Sequence, residues 1–129
     1  MTTFPLLALV IGLAATAAVA QESDPAAAGA KVFKRCAACH QVGPDAKNRV
    51  GPTLSGVIGR TAGTAAGFSY SDAMVAAGEN GLVWDEETLS AYLADPKSVV
   101  KGNKMAFVGL KSEEDRAAVI AYLEAENPR

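Results

Sequence analysis

Residues 36 to 40 read Cys-Ala-Ala-Cys-His, and they hold both cysteines and the single histidine of a 129-residue chain. This clustering constrains the fold more than any other feature, because whatever these side chains serve must sit where they sit. Zinc favours four ligands, and only three such soft or imidazole ligands exist in the chain. A thioredoxin-like thiol pair also uses Cys-x-x-Cys but needs a βαβ setting, and no alternating strand pattern occurs in this sequence. A disulfide between Cys36 and Cys39 would close only a tiny loop, and two cysteines are few for a disulfide scaffold. A structural pair beside an idle histidine would require the clustering to be chance.

The run "SDPAAAGAKVFKRCAACHQ" is predicted to be a first helix, capped by Ser23 or Asp24, with Pro25 in its first turn. On a helix, Cys36 and Cys39 share one side and His40 follows them. That pattern matches c-type haem attachment, in which each thiol adds across a vinyl group and the imidazole binds the iron.

The segment from residue 42 to 70 contrasts with this helix: six glycines and two prolines predict a long looped region, with one short helical turn near Leu54 to Ile58. A loop of that length in a small domain usually wraps something. Ser71 is expected to cap a short helix through Ala77, stopped by Gly78. Asp85 caps another, with acids in its first turn and an end at Asp95-Pro96. "KSVVKGNKMAFVGL" reads as irregular. A last helix opens with Ser112 and Asp115 in capping-box-like spacing and carries Val119, Tyr122 and Leu123 on one face. The predicted fold is small and all-α, with three to five short helices and loops nearly as long. Such helices leave too little apolar side chain at their centre, so a large flat hydrophobic group is expected to complete the core.

The N-terminus, "MTTFPLLALVIGLAATAAVAQES", carries an apolar run and then Ala18-Val19-Ala20, a small-x-small cleavage pattern. Residues 1–20 are therefore read as a secretory signal peptide and residues 21–129 as one domain. The competing reading is an uncleaved anchor, because Lys and Arg are missing before the apolar run. All 12 basic and 14 acidic residues fall in the exported part, for a formal charge of −2. That balance argues against nucleic-acid binding, which favours a net basic domain.

His40 is expected to supply one axial ligand to the iron; no second histidine exists, so bis-histidine ligation would require His40 to be shared between chains, and methionine is the next candidate, with Met74 and Met105 available. An open sixth position would instead give a haem enzyme or ligand-binding protein, peroxidase-like in chemistry. The segments "GAKVFKRCAACH", "VGPTLSGVIGRTAG", "GFSYSDAM", "GLVWDEETLSAYLADPK", "KMAFVGLK" and "AVIAYL" follow one another as in the class I cytochromes c. The chain resembles that family, in particular the bacterial cytochrome c2 group and its mitochondrial relatives, over the whole of residues 21–129.

The resemblance implies a class I cytochrome c fold wrapped around one covalent haem c, with Met105 as distal ligand and Met74 as helix packing. It implies that Pro52 offers its carbonyl to His40, that Arg60, Tyr70 and Trp84 surround a haem propionate, and that Phe107 belongs to the haem environment. It places Tyr92 beside Met105, hydrogen-bonding its sulfur. It sets Gly29 and Phe33 against Val119 and Tyr122 where the first and last helices cross. Two positions depart from the family: Lys101 and Asn103 stand where proline and threonine often flank the methionine loop. That loop is expected to open more readily, with Lys97, Lys101 or Lys104 replacing Met105 at raised pH.

Basic residues flank the haem-attachment and methionine segments, while acids concentrate at residues 85–87, 113–115 and the C-terminal tail. Lys34, Arg35, Lys97, Lys101 and Lys104 are therefore expected to form the positive end of a dipole that steers acidic partners. The function implied is a monomeric periplasmic single-electron carrier without a small-molecule substrate. Its expected partners are a quinol-oxidising complex, a terminal oxidase, a peroxidase or a photosynthetic reaction centre.

Overall fold

Asp24 starts the first helix as its N-cap, its carboxylate accepting from the Ala26 N–H at 3.0 Å, and Pro25 sits where a missing N–H costs nothing. The computed structural model describes Met1, Ala17, Ala18 and residues 24 to 128. The predicted cleavage before Gln21, like most of the apolar leader, lies outside those residues. The helices are α1 (Pro25–Phe33), α2 (Asp72–Glu79), α3 (Glu86–Ala94), α4 (Pro96–Val99) and α5 (Glu113–Ala125). Among the described residues there is no strand, only one isolated antiparallel bridge between Thr61 and Val83. The small all-α architecture is as the sequence predicts.

The main packing contact is the crossing of α1 and α5. Phe33 meets Tyr122 with ring centroids 5.3 Å apart. α5 begins with Ser112, whose hydroxyl accepts from the Asp115 N–H at 3.2 Å, and three acids in its first turn favour the helix dipole. Its Val119, Ile120 and Leu123 are buried, as is Leu110 just before it. α3 leans on α5 and on α4. It is opened by a capping box in which Asp85 and Thr88 satisfy each other's backbone N–H groups at 2.8 and 3.0 Å.

The long segment between α1 and α2 is tied to the α2–α3 connection by three backbone hydrogen bonds. Gly59 N–H donates to Trp84 O at 2.7 Å, Trp84 N–H to Arg60 O at 2.9 Å, and Ala62 N–H to Leu82 O at 2.9 Å. These bonds bring Arg60 and Trp84 together from positions far apart in sequence.

The structure corrects four local expectations. α1 ends at Phe33 rather than continuing through residue 41; residues 34 to 39 form successive turns. The Leu54–Ile58 stretch forms a single turn, closed by Val57 N–H to Leu54 O at 3.1 Å, and no helix. α2 runs through Gly78 to Glu79, because that glycine lets the helix approach Ala62 rather than ending it. Pro96, read as a terminator, opens the four-residue α4 inside a segment expected to be irregular.

Candidate functional site

After Phe33 the chain tightens. Cys36 N–H donates to Phe33 O at 2.8 Å, Cys39 N–H to Cys36 O at 3.1 Å and His40 N–H to Cys36 O at 2.9 Å. The two thiols therefore lie on consecutive turns instead of on the face of a continuing helix, yet they stay within one turn of His40. Both are free and half-buried. Burial pushes the Cys36 thiol up, against the pull of Arg35. Among the described residues, no group of three His, Cys, Asp or Glu side chains converges to hold a metal ion.

His40 is fixed by the loop that follows it. Its Nδ1 donates to the Pro52 carbonyl oxygen at 2.7 Å. A carbonyl can only accept, so Nδ1 carries the proton and Nε2 keeps its lone pair in the neutral ring. Burial lowers the His40 pKa; the Pro52 bond opposes this and the Arg60 charge adds to it. The ring is held as a neutral, oriented donor, which a metal ion requires of imidazole.

The loop can come this close because residue 51 has no side chain: a Cβ there would overlap Cε1 of His40 and lie 2.7 Å from each ring nitrogen. Gly51 N–H also donates to Cys39 O at 2.8 Å, and Leu54 N–H to Gln41 O at 2.9 Å, so the loop is laced to the attachment segment. Gly51 was not anticipated as a functional position. Its signal in the sequence, a Gly-Pro dipeptide, reads equally well as an ordinary turn.

Arg60 is half-buried and spends two donors on loop carbonyls, Nη2 on Thr53 O at 3.1 Å and Nη1 on Ser55 O at 3.2 Å. Burial pulls its pKa below the ordinary range, while Tyr70 is near enough to oppose that shift. Three of its five N–H groups remain for a carboxylate. Tyr70 accepts from the Ala65 N–H at 3.0 Å and stands edge-on to Phe68, with centroids 4.9 Å apart. Trp84 is 6% exposed. Tyr92 lies against Trp84, ring centroids 4.8 Å apart, and burial pushes its hydroxyl up to about 12.

Tyr92 and Met105 belong to one core, Tyr92 buried within it and Met105 half-buried at its edge. Met74 is buried in the same core. Phe107 is half-buried and lines a surface cavity of about 410 Å³ with Asp95, Lys97, Ala106 and Val108.

Two features of the methionine loop were missed. Asn103 is buried and hydrogen-bonded on three sides, which opposes the looseness expected of this segment. Arg116 of α5 closes the loop's far end, donating from Nε to Ser90 Oγ at 3.2 Å and from Nη1 to Leu110 O at 2.8 Å. Of the basic residues expected to form a docking face, Lys34, Lys97, Lys101 and Lys104 are exposed, and Arg35 pairs with Asp115 at 3.7 Å. Lys104 Nζ also donates to Ser69 O at 3.4 Å.

These residues fit a covalent haem. The donor set comprises two free thiols, a neutral imidazole with its lone pair available and a thioether. Around the core runs a fringe of half-buried apolar side chains, Leu54, Ile58, Tyr70, Leu82, Met105 and Phe107. A guanidinium with N–H groups to spare suits a buried carboxylate.

Comparison with known proteins agrees. The cytochrome c family pattern matches residues 26–126. The cytochrome c2 of Rhodomicrobium vannielii is 56% identical over 99 residues, 77% of each chain. That of Blastochloris viridis is 47% identical over 122 residues, 92% of this chain and 93% of the relative. The solved structure of cytochrome c2 from Rhodospirillum centenum superposes with a TM-score of 0.77 at 48% identity, covering 82% of this chain and all of that one.

Proposed function

The chain belongs to the cytochrome c family, in its class I cytochrome c2 group, and on that premise we propose that it is a periplasmic shuttle for single electrons whose haem iron is held between His40 and Met105. Like the family it belongs to, it carries covalently bound haem c and acts as an electron carrier. The observation that carries the His40 assignment is the 2.7 Å bond from its Nδ1 to the Pro52 carbonyl, which leaves Nε2 with its lone pair in the neutral ring.

When bound, the haem supplies an iron that takes up or releases one electron. The protein does the rest. Cys36 and Cys39 tether the group by thioether bonds, and His40 is oriented and made more basic by Pro52. Met105 offers a soft neutral sulfur that favours the ferrous ion and raises the reduction potential. The buried cluster around Trp84, Leu89 and Tyr92 adds to this by penalising the extra positive charge of the ferric state. Arg60, Tyr70 and Trp84 answer a propionate carboxylate that would otherwise be desolvated alone. His40 and Met105 would together hold the iron, and a site whose ligands come from the protein alone would need little rearrangement on gaining or losing an electron, which suits a carrier.

Exposure of the reduced protein to carbon monoxide near neutral pH tests this. The absorption spectrum is expected to stay unchanged; ready carbonyl binding would mean that Met105 leaves the sixth position open, as in a ligand-binding protein or peroxidase.

No described helix is long and apolar enough to cross a membrane. We assign residues 1–20 as a leader removed on export, leaving a soluble monomer in the periplasm. Exposed Lys34, Lys97, Lys101 and Lys104 face partners with acidic docking surfaces, and the expected pairing is with quinol-oxidising complexes and with oxidases, peroxidases or reaction centres. Reversing two of these charges, Lys34→Glu with Lys104→Glu, is expected to slow reduction by an acidic-faced donor about tenfold at low ionic strength, with the difference shrinking as salt is added. An unchanged low-salt rate would remove these lysines from the docking face.

A further inference from the structure

Between α4 and Met105 the chain passes through an exposed tip, Lys101-Gly102. Neither residue restricts the conformations of the unfolded loop as a proline would. The order has to come from elsewhere, and Asn103 is placed to provide it. Its side chain is buried, 7% exposed, directly beneath the tip.

Nδ2 donates to Pro96 O at 3.1 Å and to Val100 O at 2.8 Å, while Oδ1 accepts from the Met105 N–H at 2.9 Å. The partners fix the amide's orientation, since two carbonyls can only accept and an N–H can only donate. One side chain therefore ties both ends of α4 to the backbone of Met105. A threonine hydroxyl has a single proton to give and so can hold only one of the two carbonyls.

We propose that Asn103 is the positioning residue of the axial methionine, closing the 96–105 loop over the haem and setting how readily an outside ligand displaces the thioether. The proposal rests on the reading of Met105 as the iron's sulfur ligand. Breaking the clamp leaves the Pro96 and Val100 carbonyls to their backbone partners, Val100 N–H at 3.0 Å and Asn103 N–H at 3.1 Å, but takes from the Met105 N–H its acceptor while the loop is closed, and water satisfies that N–H once the loop opens. Loss of Asn103 therefore penalises the closed state selectively.

The test titrates ferric holoprotein with imidazole at fixed neutral pH and follows the sulfur-to-iron charge-transfer band. Asn103→Ala is expected to be half-displaced at an imidazole concentration about tenfold lower than the unmodified protein requires. Asn103→Asp keeps the acceptor for Met105 but turns a carboxylate toward two carbonyls, so it is sensitised as well. Asn103→Thr, which retains one donor and one acceptor, falls between Ala and the parent.

Amide exchange at Met105, read by NMR in the reduced protein, is expected to be slow in the parent and faster in the variants. It supplies a second measurement where Asn103→Ala gives little folded holoprotein. A drop in thermal stability with unchanged imidazole sensitivity and unchanged Met105 exchange overturns the clamp. Met105→Ala separates the two readings. If the band vanishes in Met105→Ala but the Asn103 variants titrate like the parent, the clamp alone fails. If the band survives Met105→Ala, the ligand assignment fails and takes the clamp with it.

Discussion

The Cys36→Ala/Cys39→Ala double variant is expected to lose all pigment to acid acetone and to show no cooperative unfolding transition, while the parent stays coloured through the same extraction. The helices explain why so much depends on two sulfurs. α1, α2 and α3 are eight or nine residues long and α4 only four, all below the length at which an isolated helix is stable in water. The region from residue 40 to 71 forms no helix at all and needs something to wrap. The domain is small enough that its own apolar core is marginal, and a tightly held group that binds only the folded chain shifts the balance by mass action.

Without thioethers, the haem is retained by axial bonds and apolar contact alone, both reversible. Each single variant keeps one thioether and is expected to keep its colour under extraction, with a lower thermal midpoint. Intact-mass measurement of periplasmic protein checks the same assignment, because the parent should carry the haem mass on a chain beginning at Gln21. A double variant that stays coloured in acid acetone would place the covalent link elsewhere. A mass that includes residues 1–20 would show the leader to be retained.

How far the sequence discloses this molecule depends on whether the cause is local. The attachment residues are legible because Cys-x-x-Cys-His is a local pattern with one dominant chemical use, and helix starts are legible because Asp24, Ser71, Asp85 and Ser112 each cap within three residues. Helix ends follow from contacts made at a distance. Residues 34 to 41 have good helix formers, yet α1 stops at Phe33 because His40, Cys39 and Gln41 are drawn onto Pro52, Gly51 and Leu54 of the next loop.

The same reasoning covers Asn103, which reads in sequence as a polar loop residue. Its role exists only because Pro96 and Val100 present carbonyls to it across α4.

Gly29→Val is expected to be the most destabilising single substitution outside the haem ligands, and the reason lies in the crossing that joins the two ends of the domain. Gly29 is buried on α1 at the point where α5 passes. A Cβ built there would overlap the Ala118 carbonyl oxygen and lie 2.6 Å from Tyr122 Cβ and 2.7 Å from the Ala118 carbonyl carbon. Two of these three atoms belong to the backbone, so no rotamer change relieves the overlap, and α1 has to move off α5. That motion uncouples Phe33 from Tyr122 and opens the packing over Val119, which is 1% exposed. It also pulls on residues 34 to 40, which continue directly from α1 into the haem attachment turns.

Overpacking of a close contact costs about 1–3 kcal/mol and occasionally more. The backbone origin of this clash puts Gly29→Val at about 3 kcal/mol or above, with Gly29→Ala somewhat less, read from urea unfolding of the holoprotein. Helix propensity alone predicts the opposite sign, since alanine is favoured over glycine in a helix by about 1 kcal/mol. Gly29→Ala thus discriminates between the two effects. If it unfolds at a higher urea concentration than the parent, α1 and α5 do not cross as closely as described; if it unfolds earlier, the missing side chain is what allows the two helices to meet.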